Sequence, residues 1–254
     1  MADALLTARG LSFGRVRPLN DPIDLDLFAG RVTALLGANG RGKTTLLDTL
    51  MGVLPPLSGR IRCDARRASV PQRFPTGLAL SAANVVLLGR AHAVGALSLP
   101  TRADEEKARD AMRALGIESW ADLPFRSLSG GQQQLVIVAR ALASEAKVLF
   151  LDEPASALDL RRQGEVLALM RRLADEGRAV VFTTHDPAHA EAVTDEAVVL
   201  MPQGLAKSGN AKDVLTPEVL GAALGVSLEH ARTPSGQCRL VPVYPKLHPE
   251  APNA

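Results

Sequence analysis

The amino-acid sequence predicts an α/β protein in which helices cover a parallel or mixed sheet. Three observations lead to this class. In the second half of the chain, apolar strand-like segments alternate with helical segments, which is typical of parallel sheets with right-handed crossovers. Near the N-terminus, a glycine-rich loop joins a buried strand to a helix. Between these parts, at about residues 74–140, lies an insertion with helical periodicity.

The N-terminal part has strand patterns up to about Leu36. RVTALLG, residues 31–37, is predicted to be a short buried strand that runs into a glycine turn. GKTTLLDTLMGVL, residues 42–54, has apolar side chains at helical spacing, and PPLSG, residues 55–59, ends that helix. GRIRC and ASVPQ, which follow, are predicted to be strands.

The insertion contains two clear helical segments. In TRADEEKARDAMRALGI, residues 101–117, the acids come early and the bases late, which suits the helix dipole. The segment ALSAANVVLLGRA, residues 79–91, is also helical. The apolar side chains of these helices pack their own subdomain, and we expect a minority of them to line a groove for a partner.

The C-terminal half continues the strand and helix alternation. KVLFLD and AVVFTTH are predicted strands, and the helix DLRRQGEVLALMRRLADEG lies between them. EAVVLMPQG adds a further strand and turn. We therefore predict one domain over residues 1–225. It is followed by a proline-rich tail, residues 226–254, with little regular structure at its end.

Composition excludes several classes. The 254 residues include 29 basic and 27 acidic side chains, and this near balance argues against a dedicated nucleic-acid binder. Cys63 and Cys238 match no metal-ligand spacing and suggest no disulfide framework. The N-terminus MADALLTARGLSF lacks a signal-peptide pattern, and no apolar run approaches the roughly 18 residues of a membrane span. A membrane role therefore requires a partner.

The glycine-rich loop GANGRGKT, residues 37–44, fits the phosphate-binding pattern G-x-x-x-x-G-K-[ST]. Its glycines let backbone N–H groups approach a phosphate, and the helix that follows points its positive end at the same place. Lys43 is placed to neutralise β and γ oxygens, and Thr44 to offer its hydroxyl to Mg²⁺. A chance glycine turn is the alternative. Kinases, GTPases and motor ATPases all use this pattern, so the class of enzyme stays open here.

Two acids follow a buried strand at the same predicted sheet edge. Asp152 ends KVLFLD and is assigned to Mg²⁺. Glu153 points the other way on an extended chain, so it is assigned to polarise the attacking water. Alone, an acidic turn before Pro154 is the simpler interpretation, but the phosphate loop favours catalysis. His185 ends AVVFTTH at this edge, where it is placed to contact the γ-phosphate and the acid.

With these motifs in place, the chain resembles the ABC ATPase family over about residues 3–225. Residues 37–44 resemble the Walker A loop, and residues 148–154 resemble Walker B with Glu153 as the catalytic glutamate. Gln72 resembles the Q-loop glutamine, and His185 resembles the H-loop histidine. LSGGQ, residues 128–132, resembles the family signature, and SALD, residues 156–159, resembles the D-loop. Phe13 stands where an aromatic ring usually stacks on adenine; Phe there and Ala155 in Walker B are small departures.

The resemblance implies a P-loop fold with an antiparallel β subdomain and a helical subdomain. It implies catalysis by Glu153, His185 and Lys43, and Mg²⁺ binding by Thr44, Gln72 and Asp152. Two copies meet head to tail, so each signature loop completes the partner's site. The residues expected to bind ATP are Phe13, Gly37, Ala38, Asn39, Gly40, Arg41, Gly42, Lys43, Thr44, Thr45, Gln72, Ser129, Gly130, Gly131, Gln132 and Asp159.

Within the family, the segment after Gln72 resembles importers of metal chelates such as iron–siderophore, haem and cobalamin. The segments FTTHDP and LVPVYPKL resemble the molybdate/tungstate type. The resemblance implies a homodimeric ATPase at the cytoplasmic face of the plasma membrane, bound to permease subunits and served indirectly by a substrate-binding protein. A regulatory ABC ATPase without a permease is the alternative. A P-loop kinase or GTPase is disfavoured, because the chain has LSGGQ and lacks N-K-x-D.

Overall fold

The computed structural model describes residues 4–71, 79–93, 98–156, 158–234, 236 and 238–244. The strands, numbered in chain order, are β1 (Ala4–Ser12), β2 (Ile23–Phe28), β3 (Val32–Leu36), β4 (Ser58–Cys63), β5 (Arg67–Val70), β6 (Val148–Leu151), β7 (Ala179–Thr184), β8 (Glu196–Leu200), β9 (Ala206–Asn210), β10 (Ser227–Arg232) and β11 (Cys238–Val243). The α-helices are α1 (Lys43–Met51), α2 (Ala82–Leu87), α3 (Arg102–Ala114), α4 (Gly130–Ala143), α5 (Leu160–Asp175), α6 (Pro187–Val193), α7 (Ala211–Val214) and α8 (Pro217–Leu224).

The central sheet has six strands in the order β5-β6-β7-β3-β8-β9. All neighbouring pairs are parallel except β8 with β9, so the predicted α/β class with a mixed sheet is confirmed. Strands β3, β6 and β7 are buried along their whole length, as expected for strands covered on both faces. Their carboxyl ends meet at one edge, where the loops after β3, β6 and β7 lie side by side.

The predicted antiparallel β subdomain is a three-stranded sheet in the order β2-β1-β4. Its apolar face shares one core cluster with α1 and with one face of the central sheet. Leu6 of β1, Leu46 of α1 and Phe150 of β6 all belong to this cluster. Helix α1 therefore starts from the glycine-rich loop and is anchored by burial against two sheets.

The other face of the central sheet carries a larger core that includes α4, α5 and α6. Helix α4 also packs against α2 and α3, which form the helical insertion. Gly89, in the turn after α2, lies against the α4 backbone, since a Cβ there would sit 2.1 Å from the carbonyl oxygen of Arg140. Among the described residues, no helix combines the length and apolar character needed to cross a bilayer.

A buried ionic network closes the insertion around the end of α4. The Arg90 side chain is buried and donates to Asp104 Oδ1 at 3.0 Å and to Glu145 Oε2 at 2.7 Å. It also donates to the carbonyl of Ala143 at 2.9 Å. Hydrogen bonds from the Thr101 hydroxyl and backbone N–H, followed by the one from Arg90, lower the pKa of Asp104 to about 2. Arg90 thus ties α2, α3 and the C-terminal end of α4 together.

The first part of the tail forms two strands that were not predicted from the sequence. Strands β10 and β11 form an antiparallel hairpin, with Leu228 opposite Pro242 and His230 opposite Leu240. Leu240 is buried, and its backbone N–H donates to Glu191 Oε2 of α6 at 3.0 Å. A two-stranded hairpin tolerates Pro242 because each of its strands is an edge strand. The end of the tail, residues 245–254, lies outside the described residues, and the division at residue 225 stays a prediction.

Candidate active site

The glycine-rich loop connects β3 to α1, as predicted. Gly40 and Gly42 have φ values of 79° and 89°, the left-handed region that favours glycine. Gly37 is also constrained, because a Cβ there would lie 2.9 Å from the carbonyl oxygen of Leu200. The tip of the loop, at Asn39, Gly40 and Arg41, is exposed. The loop is therefore shaped by glycine and opens its backbone to solvent at the start of a helix.

Lys43 is the first residue of α1 and is only 6 % exposed. Its ammonium Nζ donates to the carbonyl of Gly37 at 2.8 Å and to that of Ala38 at 3.3 Å. Burial lowers its pKa, while the charges of Glu153 and Asp152 act in the opposite direction. The cation is held inside the loop by carbonyl oxygens, which an anionic ligand can replace.

Asp152 lies at the end of β6 and is 4 % exposed. Its Oδ2 accepts a hydrogen bond from Thr44 Oγ1 at 2.8 Å, and its Oδ1 accepts one from Thr183 Oγ1 at 2.6 Å. The charge of Asp152 adds to burial in raising the pKa of Asp48 on α1. Three elements, α1, β6 and β7, are thus joined through one carboxylate beside the phosphate loop.

The side-chain oxygens of Thr44 and Asp152 form a pair of ligands of the kind expected for a small, hard cation. Magnesium is usually bound through one or two protein oxygens, with substrate phosphates and waters completing the shell. Within the described residues, no group of three or more acidic, histidine or cysteine side chains forms a self-sufficient metal site. The residues present fit a cation that arrives with a phosphate ligand.

Glu153 does not have the extended conformation that the sequence predicts. Its φ is 47°, in the left-handed region, which costs about 1–3 kcal/mol for a non-glycine residue. The Glu153 backbone N–H donates to Thr183 Oγ1 at 2.8 Å, and Oε1 lies 3.3 Å from His185 Nδ1. The two acids still point to different partners, Asp152 to Thr44 and Glu153 to His185. The turn at Glu153, rather than strand alternation, produces this separation.

Thr183 is a site residue that sequence reasoning missed. It is fully buried, and its hydroxyl serves both acids, donating to Asp152 and accepting from the Glu153 backbone. The only sequence signal was its place two residues before His185 in an apolar strand. A threonine there is ordinary in a β-strand, so its role is visible only when β6 and β7 pair.

The second glycine-containing loop starts α4. Ser129 is the N-cap: its Oγ accepts from the Gln132 backbone N–H, and Gln132 Oε1 accepts from the Ser129 N–H at 2.8 Å. Ser129 and Gly130 are exposed. Asp159 is the N-cap of α5 and lies beside this loop. Asp159, Ser129 and Gly131 line one depression of about 340 Å³. The structure therefore brings the predicted signature and D-loop residues together on one surface.

Phe13 and Gln72 differ from the other residues that were predicted to bind ATP. Phe13 is 0 % exposed and packs in the core beside Gly42. A ring with no exposed surface cannot stack on an adenine, so the assignment of Phe13 as an adenine platform is corrected to a packing role in this conformation. Gln72 lies outside the described residues, and its assignment stays a prediction.

A phosphate loop followed by a helix, with a buried acid at the end of a strand of the same sheet, defines the class of P-loop nucleoside triphosphatases; here β7 separates that strand, β6, from β3. The family model described as ABC transporter matches residues 20–156. The chain belongs to the ABC transporter family. The resemblance drawn from the sequence is confirmed, and with it the chain's activity as an ABC-type ATPase.

Curated relatives point in the same direction. The chain is 41% identical over 201 residues to the molybdate import ATP-binding protein MolC of Haemophilus influenzae, covering 79% of each chain. It is 35% identical over 255 residues to the hemin import ATP-binding protein HmuV of Rhodococcus jostii, covering 94% of this chain and 84% of the relative. A solved metal-chelate type ABC transporter in an inward-facing conformation matches with a TM-score of 0.89 and 36% identity, covering 95% of this chain and 98% of that one.

Proposed function

We propose that this chain is the ATP-hydrolysing subunit of a bacterial importer for a metal chelate or a metal oxyanion. The observation that carries the proposal is the similarity over most of the chain to molybdate and hemin import ATP-binding proteins. The solute reaches a separate membrane permease, so the ATPase residues do not select between the iron–siderophore, haem, cobalamin and molybdate/tungstate classes.

The nucleotide phosphates bind at the loop of residues 37–44. Lys43 exchanges its bonds to the Gly37 and Ala38 carbonyls for β and γ oxygens, while loop N–H groups and the α1 N-terminus contact the phosphates. Thr44 and Asp152, assisted by Gln72, would hold Mg²⁺, which would supply neutralisation of charge on the phosphate oxygens.

Hydrolysis uses the pair at the ends of β6 and β7. Glu153 orients and polarises the attacking water, and His185 contacts the γ-phosphate and keeps the Glu153 carboxylate in place. Their contact at 3.3 Å supports a joint role. Thr183 holds the Asp152 side chain and the Glu153 backbone in fixed relation, so the metal ligand and the base share one anchor.

The exposed signature loop serves a second copy of the chain. Ser129 and Gly130 lie at the N-terminus of α4, where backbone N–H groups and the helix dipole attract an anion. Ser129, Gly130, Gly131, Gln132 and Asp159 approach the nucleotide of the partner subunit in a head-to-tail homodimer. Each ATP therefore lies between the Walker A face of one copy and the signature face of the other.

The dimer acts on integral-membrane permease subunits at the cytoplasmic face of the plasma membrane and is served indirectly by a substrate-binding protein. No nucleic acid takes part.

The alternative, a regulatory ABC ATPase without a permease, predicts a different result when the protein is purified from membranes. An importer subunit co-purifies with a polytopic membrane protein that changes its ATPase rate, whereas the regulatory protein does not.

The catalytic assignment is tested by Glu153→Gln. Loss of a positioned general base typically lowers rate by about 10²–10⁴-fold, so we expect hydrolysis to fall by that factor while equilibrium ATP binding persists. Glu229→Gln, on the exposed face of β10, is the matched control and keeps the wild-type rate. A Glu153→Gln protein that hydrolyses ATP at close to the wild-type rate refutes the assignment.

A further inference from the structure

Helices α4 and α5 begin with the same local arrangement. In each, a capping side chain is followed after four residues by a glutamine whose side-chain N–H reaches back to the carbonyl before the cap. Gln133 Nε2 donates to the Leu128 carbonyl at 3.1 Å, and Gln163 Nε2 donates to the Leu158 carbonyl at 3.0 Å. The two loops that precede these helices, the signature loop and the D-loop, are therefore fixed by equivalent glutamines.

The two glutamines differ in what else they contact. Gln133 donates a second hydrogen bond to the Phe125 carbonyl at 3.1 Å, within the same stretch of chain. Gln163 instead presents its Oε1 to His189 Nε2 of α6, at 3.3 Å. Because the Leu158 carbonyl only accepts, the Gln163 amide nitrogen faces it and the amide oxygen faces the histidine, so His189 Nε2 carries the proton. Gln163 thus joins the D-loop to a separate helix.

That helix begins two residues after the predicted catalytic histidine. Asp186, the residue after His185, caps α6 by accepting from the Ala188 N–H at 2.8 Å, and its Oδ2 lies 3.5 Å from His189 Nε2. The His189 side chain is 14% exposed. A polar chain therefore runs from the residue beside His185, through His189 and Gln163, to the carbonyl beside Asp159.

The same residues surround one small cavity. Its volume is about 90 Å³, and its lining includes Glu153, His185, Gln163 and His189. The catalytic pair and the polar link therefore line the same cavity, so a displacement of the link changes the surroundings of the pair. A simple helix cap accounts for the bond from Gln163 to Leu158, but it does not account for His189.

We propose that Gln163 and His189 are positioning residues that hold the D-loop in a fixed position relative to His185. This proposal rests on the proposed function, in which His185 and Glu153 act on this chain's nucleotide and Asp159 faces the partner's. The link then couples the two faces of one subunit. The position of the D-loop, which faces the second copy, therefore depends on the state of the catalytic His185.

The kinetic test compares Gln163→Leu, His189→Leu and the double variant. Loss of one net hydrogen bond corresponds to about a 3- to 10-fold change, so we expect kcat to fall by that factor in each single variant, with KM and equilibrium ATP binding unchanged. The double variant falls no further, because both substitutions break one link. His189→Gln, which restores an N–H donor, recovers most of the rate, and His230→Leu on exposed β10 is the matched control.

A second readout does not depend on hydrolysis. In the wild type, the Ser156 and Leu158 amides donate to the carbonyls of Glu153 and Ala155 within the D-loop turn. We expect hydrogen exchange at these two amides to accelerate several-fold in Gln163→Leu and His189→Leu, at an unchanged thermal midpoint. If Glu153→Gln hydrolyses normally while exchange accelerates, the catalytic assignment fails and the link stands. Wild-type exchange in both variants, or kcat losses that multiply in the double variant, overturns the link.

Discussion

The two halves of the candidate site are built in different ways. In the half at the edge of the central sheet, side chains from separate elements bond to one another: Thr44 and Thr183 to Asp152, and His185 to Glu153. In the signature half, the side chains of Ser129 and Gln132 bond to the first turn of their own helix. The first half is organised through tertiary structure and the second through local sequence.

This difference indicates how each half is used. The sheet-edge half combines a buried cation, the buried carboxylate of Asp152 and a helix N-terminus, which together suit a magnesium triphosphate. The signature half offers an exposed hydroxyl and the backbone of a helix start, and Gly130 has open space where a Cβ would lie. Such a surface completes a site that another molecule brings to it.

Among substitutions outside the catalytic pair, the largest effect is expected at the signature half. Ser129→Arg places a long cationic side chain where the partner's phosphates approach, and we expect turnover to fall by at least about 100-fold, as for loss of a transition-state contact. ATP binding at the phosphate loop should persist. Ser127→Arg, an exposed change two residues earlier, is the control and keeps its rate within about 2-fold.

Ser129→Ala separates helix capping from steric access. Loss of the cap costs about 1 kcal/mol of stability, so this variant reports how much of the arginine effect is local unfolding of α4. A Ser129→Arg protein with normal turnover would remove the argument for a second copy.

An intermediate effect is expected for Thr183→Val, which keeps the shape of the side chain and removes its hydroxyl. One of the lost hydrogen bonds is to a charged group, so we expect kcat to fall about 10- to 100-fold, measured by phosphate release. Thr194→Val is the matched control, since the buried Thr194 hydroxyl has no hydrogen-bond partner in the described part of the chain. Equal rates for the two variants would show that the sheet-edge half does not depend on its interlocking bonds.

The smallest effect concerns the support of α4 by Arg90 and Asp104. The pKa of Asp104 is held at about 2, below its ordinary value of 3.8, so its contribution to stability is present above about pH 4 and is lost as pH falls toward 2. We expect the stability difference between wild type and Asp104→Asn, measured by urea unfolding, to stay constant down to about pH 4 and to shrink below it. A difference that does not change with pH would contradict this assignment.

The sequence predicted the parts of the site that lie in contiguous motifs. The residues at 37–44, the acids at 152 and 153, and the loop at 128–132 are each defined by neighbours in the chain, so their local structure follows from composition and spacing. Thr183 and the contact between Gln163 and His189 were not predictable, because both depend on how distant elements pack.

Two other differences between the sequence-based expectations and the structure have physical causes. Phe13 was interpreted as the ring that stacks on adenine, but its environment in the core is set by the packing of the N-terminal sheet against α1. Little regular structure was expected at the end of the tail because of its prolines, and that end, residues 245–254, lies outside the described residues. In the first part of the tail, alternating apolar residues such as Leu228 and Leu240 form a hairpin that was not predicted, which is fixed by its contact with α6.

The central claim is that one chain carries two half-sites and that a second copy completes each of them. The most direct measurement is the ATP-dependent mass of Glu153→Gln in solution, compared with that of Glu153→Gln/Ser129→Arg. We predict that ATP converts the first protein to a dimer, while the second binds ATP with the same affinity and stays monomeric. A dimer that forms equally well with Arg at position 129, or a Glu153→Gln protein that stays monomeric with ATP bound, would contradict the account.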